Sequence, residues 1–429
     1  MTAPDRKNAP KIYSPQEFEY KLQPISSEKL DNGIPFYSLS DSLEPVLQLE
    51  LVFDAGLWFE SKKAVSQATA ALLKSGTSQL NAFQISDNFE QYGASVKISS
   101  GTDWASVTVS CLTRHLPNIL PLVYQLLTDT IFPQSEIDIY VQNSKQKLSV
   151  QLLKTEFIAN RKIDEYVFGF NHPYGKYLFA ADYDAIRQED LLAHVKNHYT
   201  SKNCRIFLAG MFTESDKKLI NQYFGSSAWN SQAAVEVPVY DINCETEKKH
   251  RITHDEKSVQ GSIRMARPFP VKTHPDFVPM IMLNTLFGGY FGSRLMSNIR
   301  EEKGYTYGIH SMLLNQKNES AFIITTEAGK DVCELAIKEI YKEMELLKNE
   351  LVSDDELNLV KNYLLGSILG GLDGSFHIIQ RWKGLILNGF TEARFYNNIE
   401  IYKTITPAQI KDLAQKYFNE SDYYELVVA

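Results

Sequence analysis

Two stretches of this chain repeat one another at a fixed offset, and that repeat restricts the available folds more than any other feature. One runs IRQEDLLAHVKNHYTSKNCRIFLAG from Ile186, the other ITPAQIKDLAQKYFNESDYYELVVA from Ile405, and they align from end to end without a gap. Each has a polar entry, an amphipathic helical period, an aromatic at its end (Tyr199 or Phe418), a short polar turn and a hydrophobic strand. Leu191, Leu192 and Val195 make the apolar face of the first helix; Ile410, Leu413 and Ala414 make that of the second. A further echo, SEIDIYVQN from Ser135 and DDELNLVKN from Asp354, lies in the same order at the same offset. Each of these opens a long helix behind acidic or hydroxyl cap residues. The pattern reads as two copies of one αβ unit.

The seam falls in the polar stretch Ala228 to Lys249, with a boundary expected near residue 235, giving domains 1–235 and 236–429. In the first half LQLELVFDAG, ASVKISS and WASVTVSCL alternate apolar and polar residues, as half-buried strands do. The expected class is α+β: two similar αβ domains, each an antiparallel or mixed sheet with helices packed on one face. A 44% hydrophobic, 22% charged composition is that of a globular chain able to bury a large core. The net charge of −8 and the lack of a long basic run argue against nucleic-acid binding. Cys111, Cys204, Cys244 and Cys333 are widely spaced with no CxxC, so neither a zinc knuckle nor a redox pair is suggested, and a reducing compartment is expected. The start, MTAPDRKNAPKIYSPQEFEYKL, lacks the apolar core of a signal peptide, and no apolar run is long enough to span a membrane. These features point to the cytoplasm.

A hydrolytic zinc needs three protein ligands and an open position. Two histidines at i and i+4 on a helix, with a Glu between them, supply two ligands and a base. No His-x-x-Glu-His occurs. His194 and His198 have the i, i+4 spacing on a predicted helix, but no Glu lies between them and the repeat of that helix has no histidine. They read as surface or structural histidines, and a stand-alone enzyme using this pair is the weaker alternative. His250 and His254 sit in a strand-like segment, too far apart to share one ion. His172-Pro-Tyr-Gly reads as a turn. There is no Gly-x-Ser-x-Gly elbow, and no Gly-Lys-Ser/Thr follows Gly288, Gly289 and Gly292.

The block GGYFGSRLMSNIREEKGYTYG, Gly288 to Gly308, is the most specific segment. Leu295 and Ile299 give a helix its apolar side, Gly304 ends it, and Arg294 and Arg300 leave the packed face. The strand YTYGIHS follows. A guanidinium can hold a peptide carbonyl with two donors, and a phenol can donate to an oxyanion as an amide carbonyl becomes tetrahedral.

This block resembles the arginine–tyrosine motif in the second domain of pitrilysin-like (M16, insulinase-type) zinc peptidases. The first-half strand–helix–Gly76-Thr77 order, His172-Pro-Tyr-Gly and the duplication extend the resemblance along the whole chain. It implies two homologous domains of the M16 metallohydrolase type. The family's motif helix precedes the Gly-Thr, so its five positions here are Gln67, Ala68, Thr69, Ala70 and Ala71. Gln67 and Ala71 replace the two ligand histidines, and Ala70 replaces the catalytic Glu. The family's third ligand is a Glu on a later helix; no acidic residue lies between Ile139 and Thr155, and Glu156 is the nearest. By the family spacing the substrate pair is Arg300 and Tyr307, with Tyr305 a close competitor. The implied role is a subunit with no metal or catalytic residue of its own, inactive alone. It would lend Arg300 and Tyr307 to a partner that bears His-x-x-Glu-His and the zinc, acting on peptides. Association of two copies of this chain stays open. The family's α-type subunits carry a long glycine-rich loop, to which only Gly288, Gly289 and Gly292 correspond. The alternative is a catalytically inert scaffold, as in the core proteins of respiratory complexes that resemble this family.

Overall fold

The structure, a computed structural model, describes residues 13–429 except positions 42, 231, 232, 235, 255 and 257. The expected boundary at residue 235 therefore lies outside the described residues. The first sheet contains β1 (Ser26–Lys29), β2 (Pro35–Leu39), β3 (Val46–Phe53), β4 (Ser95–Ser100), β5 (Ala105–Leu112) and β6 (Cys204–Gly210) in the order β1-β2-β6-β3-β5-β4. The second contains β7 (Lys249–Ile252), β8 (Gln260–Phe269), β9 (Thr306–Asn315), β10 (Ser320–Gly329) and β11 (Tyr424–Val428) in the order β7-β11-β8-β10-β9. Equating β2 with β7, β6 with β11, β3 with β8, β5 with β10 and β4 with β9 makes the two orders the same, with β1 an additional edge strand of the first sheet. Both sheets are mixed: β2–β6 and β11–β7 are parallel, and the other pairs are antiparallel.

The helices that position the site are α1 (Val65–Leu72), α2 (Gln134–Gln151), α3 (Thr155–Phe168), α4 (Gln188–His198), α5 (Asp354–Gly370), α6 (Gly374–Leu387) and α7 (Pro407–Tyr417). The repeat helices α4 and α7 coincide at both ends when Ile186 is aligned with Ile405, Gln188 falling on Pro407 and His198 on Tyr417. In α7, Thr406 accepts from the Gln409 amide, Gln409 returns the bond, and Pro407 fills the first turn, where no amide donor is needed. Ile410, Leu413 and Ala414 are buried as expected, as are Leu191 and Val195. Leu192 is not: it is 38% exposed, because its position falls one step off the stripe that faces the sheet.

Each half's own helices cover one face of its sheet. In the first half Leu47, Leu49, Leu51 and Phe53 of β3 pack with Val65, Ala68 and Leu72 of α1 and with Leu191 and Val195 of α4. The opposite faces are covered reciprocally. Leu39, Val52, Phe207 and Ala209 of the first sheet meet Ile378, Ile379 and Leu385 of α6, which comes from the second half. Ala266, Ala321, Ile323, Tyr424, Leu426 and Val428 of the second sheet meet Ala159, Ile163, Tyr166 and Val167 of α3, which comes from the first. The exchanged helices obey the same alignment, with Thr155 matching Gly374 and Phe168 matching Leu387. With both faces covered, β3 is buried almost continuously, whereas β5 keeps a strict alternation.

A charged side chain pins each exchanged helix. Glu50 of β3 is buried, with Lys383 Nζ of α6 2.9 Å from both carboxylate oxygens and Gln380 Nε2 donating at 3.0 Å. At the equivalent place in the second sheet the sign is reversed. Arg264 of β8 is buried, donating to Asn160 Oδ1 of α3 at 2.6 Å and to Glu327 Oε1 at 2.7 Å. Glu50 faces Phe207 in register and Arg264 faces Leu426, and those two partners occupy matching positions of the repeat. Asp164 of α3 is the repeat counterpart of Lys383. It feels Arg264 but is desolvated; burial pushes its carboxyl up to about 7 against the pull of the guanidinium.

Lys383→Met should destabilise the chain by about 3 kcal/mol, because it strands the Glu50 carboxylate beneath α6. Combining it with Glu50→Leu should restore most of that loss. Denaturant unfolding of the two variants is the measurement; an unchanged midpoint for Lys383→Met alone would contradict a helix held by this pair.

Candidate functional site

Two separate places carry the residues singled out in the sequence. The first is the arginine–tyrosine block. A π-helical turn, Met296–Glu302, carries Arg300, with Leu295 and Ile299 buried behind it. Such turns recur at functional sites. Gly304, at φ +66°, reverses the chain into β9, a conformation other residues adopt only with strain. Arg294 is held by Glu356 of α5 through two parallel 2.8 Å bonds, a structural fork. Arg300 is held differently. Its Nε donates to the Tyr307 carbonyl at 3.1 Å, its guanidinium lies 4.8 Å from the Phe291 ring, and its nearest carboxylate, Glu301, is 3.5 Å away. The structure thus brings Arg300 and Tyr307 together. Tyr305 is half-buried against the core, whereas the Tyr307 side chain is 93% exposed.

Tyr307 stands where it does because the edge strand bulges. On β10, Thr326 pairs with Ile309 and Ala328 with Thr306, so Tyr307 and Gly308 together face the single residue Glu327. A bulge adds twist and re-aims a side chain. Two buried threonines fix it: Thr306 Oγ1 lies 2.9 Å from the Gly308 carbonyl and 2.7 Å from that of Glu327, and it accepts from the Gly308 amide at 3.1 Å. Thr326 Oγ1 lies 2.8 Å from Thr306 Oγ1. Neither threonine stands out in the sequence; their meeting beneath the tyrosine–glycine pair is visible only once the strands are in register. Gly288 has a packing reason, since a Cβ there would lie 2.6 Å from Ser311 Oγ and 2.9 Å from its amide on β9.

The second place is the stretch of α1 from Gln67 to Ala71 that the resemblance singled out. Gln67 and Ala71 share its exposed face and Ala70 is buried. Gln67 lines a cavity of about 470 Å3 with Glu60, Tyr140, Ser144, Gln151, Arg161 and Lys176 among its walls. Glu60 is buried; its Oε2 accepts the Ser66 amide at 3.2 Å, and its Oε1 lies 2.6 Å from Lys176 Nζ. Burial pushes the Glu60 carboxyl up, and Lys176 opposes this. Burial also pushes the Tyr140 phenol up to about 12. Arg300 and Tyr307 do not line this cavity. Glu156 is exposed in the first turn of α3 and does not line it either.

These residues do not fit a zinc ion. Gln67 offers a neutral amide, Ala70 and Ala71 offer no donor, and no group of three His, Cys, Asp or Glu among the described residues could hold a metal. His194 and His198 lie 4.8 Å apart, ring centre to ring centre, on α4, which packs behind α1. His194 is buried with Nε2 3.1 Å from the Ala55 carbonyl; burial depresses it to about 3 and also lowers His198. No third donor among the described residues joins them. His172 is buried against Trp58 and Phe168, takes the Tyr174 amide on Nδ1 at 3.2 Å, and is held down to about 4 by burial. His250 stacks on Tyr166 at 4.0 Å.

The purified chain, equilibrated with excess zinc and desalted, should retain far less than one equivalent by elemental analysis. One tightly held zinc per chain, lost on Gln67→Ala substitution, would contradict the donor chemistry of this cavity.

Among the described residues no helix is long and apolar enough to cross a membrane. Comparison with known proteins agrees with the architecture. Residues 185–364 match the family model described as the peptidase M16 inactive domain. The chain is 21% identical over 303 residues to the uncharacterized zinc protease YmxG of Bacillus subtilis, covering 70% of this chain and 72% of that one. It is 21% identical over 422 residues to a probable mitochondrial-processing peptidase subunit beta of Arabidopsis thaliana, covering 92% and 76%. A crystal structure of a peptidase M16 inactive domain from Pseudomonas fluorescens superposes with a TM-score of 0.83 at 21% identity, covering 94% of this chain and 98% of that one. The chain is thus similar to the peptidase M16 inactive domain over residues 185–364, and shares the two-sheet fold of these relatives' solved structures along nearly its whole length.

Proposed function

We propose that this chain is the non-catalytic subunit of a peptide-cleaving pair, supplying Arg300 and Tyr307 to the site of a second M16 subunit that bears His-x-x-Glu-His. The observation that carries the reading is the Tyr307 phenol, 93% exposed on an edge-strand bulge with the Arg300 guanidinium anchored beside it. Nothing in the packing of this chain requires either side chain to point outward. Arg294, on the same segment, exemplifies the structural alternative: it is fully engaged with Glu356. The description of the Arabidopsis relative as one subunit of a processing peptidase supports a paired arrangement.

In the pair, the partner's zinc would supply the activated water. This chain's part is positional and electrostatic. The Arg300 donors not turned to Tyr307 hold a peptide carbonyl, and the free edge of β9 offers main-chain groups to an extended peptide. Tyr307 donates its hydroxyl proton as a hydrogen bond where negative charge develops on the scissile carbonyl oxygen. Because the Arg300 Nε–Tyr307 carbonyl bond fixes their spacing, the two donors reach the peptide as one unit.

Tyr307→Phe should lower kcat of the reconstituted pair roughly a hundredfold, the effect of losing one oxyanion donor, with assembly and thermal stability unchanged. Arg300→Ala should raise KM as well. The check is steady-state kinetics on complexes verified by size-exclusion chromatography. Near-normal rates for both variants in intact complexes would remove the shared site and favour an inert scaffold.

A further inference from the structure

The cavity beside Gln67 adjoins a second one of about 580 Å3, and the two share Leu148, Arg161, Tyr177 and Leu178. Together they form a groove between α2, α3 and the segment around Tyr177 to Ala181. The two ends differ in chemistry. The Gln67 end presents amides and hydroxyls, with Gln67, Ser144, Gln151, Tyr140 and Tyr183 on its walls. The other end is walled by Leu148, Leu152, Ile158 and Phe179. Leu152 and Phe179 are 37% and 50% exposed there, and the neighbouring Val150 and Leu153 are exposed too. Contiguous apolar exposure of this kind marks a surface that something covers.

Charge says what that something carries. Lys145, Lys147, Arg161, Lys162 and Lys176 line the groove against one carboxylate, Glu60. Three of the cations are paired: Lys145 with Asp184 at 2.7 Å, Lys162 with Glu165 at 2.8 Å and Lys176 with Glu60 at 2.6 Å. Lys147 and Arg161 make no ion pair among the described residues. Arg161 stands at the junction of the two cavities. Its Nη2 donates to the Leu178 carbonyl at 2.6 Å, and its guanidinium lies over Tyr177 at 4.1 Å, with the Phe157 and Phe179 rings at 5.2 and 5.6 Å. An arginine locked among aromatic rings with donors left over is a preorganised carboxylate receptor.

We infer that this groove, which Gln67 of α1 lines at one end, is a non-catalytic binding site for an extended acidic, apolar peptide. A carboxylate of the peptide meets Arg161 and Lys147, its main chain pairs with the amides and hydroxyls beside Gln67, and its apolar side chains fill the end walled by Leu148, Leu152 and Phe179. A fatty-acid-like anion would satisfy the cations and the apolar end but would leave the amide-lined end without a partner. The inference rests on the reading of the chain as a peptide-handling subunit, yet it is tested without partner or turnover, so the two can fail separately.

The experiment is fluorescence anisotropy of the isolated chain with a labelled nonapeptide alternating Glu and Leu, its Lys-for-Glu counterpart, and decanoate as competitor. The acidic peptide should bind at least about tenfold more tightly than the basic one, and Arg161→Gln should weaken it at least about tenfold, the scale of one charge-assisted bond. Lys147 is exposed, so Lys147→Glu tests the same site without disturbing the aromatic packing around Arg161; it should weaken the acidic peptide and narrow the preference over the basic one. Equal affinity for both peptides, acidic-peptide affinity unchanged by Lys147→Glu, or binding of decanoate with no binding of the acidic peptide would each overturn the inference.

Discussion

The reciprocal exchange of α3 and α6 is the constraint on which the rest of the structure depends. A sheet with helices on one face only would leave its other face to solvent, and both sheets here are apolar on both faces. Each half solves this by lending a helix to the other, so neither sheet is fully covered without the other half. The buried charges make the exchange specific. Glu50 accepts only a helix that brings a cation, Lys383, whereas Arg264 meets Asn160 and Asp164 on α3. With the same sign at both central positions, either helix could seat under either sheet. Opposite signs distinguish the two seats, a use of buried charge for register rather than for strength.

The exchange also fixes where function can sit. α3, whose buried face serves the second sheet, presents Arg161 and Phe157 to the groove beside α1. The edge of the second sheet is left uncovered at β9, and there the bulge held by Thr306 and Thr326 projects Tyr307. Arg161 and Phe157 are thus carried by a helix and Tyr307 by a strand.

Much of the fold was legible in the sequence because a duplication writes its pattern twice. The α4 and α7 segments and the mixed sheets follow from periodicity, whereas the pairing of Arg300 with Tyr307 comes only through the resemblance to the M16 motif; the expectation of helices on one face missed the second covered face. The exchange was not legible. Ala159 and Ile163, or Ile378 and Ile379, look like any apolar helical stripe, and nothing local says which sheet the stripe covers. Glu50 looks like a polar residue on the exposed side of an alternating strand; the cation that balances it is 333 residues away. Leu192 misleads because an apolar residue next to a buried one extends a stripe on paper beyond the width that the packing uses. Arg161 is invisible for a different reason: its interest lies in the carboxylate that it lacks, and a missing partner can be seen only in three dimensions.

The most direct measurement of the proposed role is a structure of this chain bound to an M16 subunit that bears His-x-x-Glu-His, with an uncleavable peptide at that subunit's metal. The account predicts the Tyr307 hydroxyl about 3 Å from the carbonyl oxygen, or its mimic, at the scissile position, with Arg300 on a neighbouring carbonyl. A complex in which the peptide is fully ordered while Arg300 and Tyr307 face solvent would contradict it.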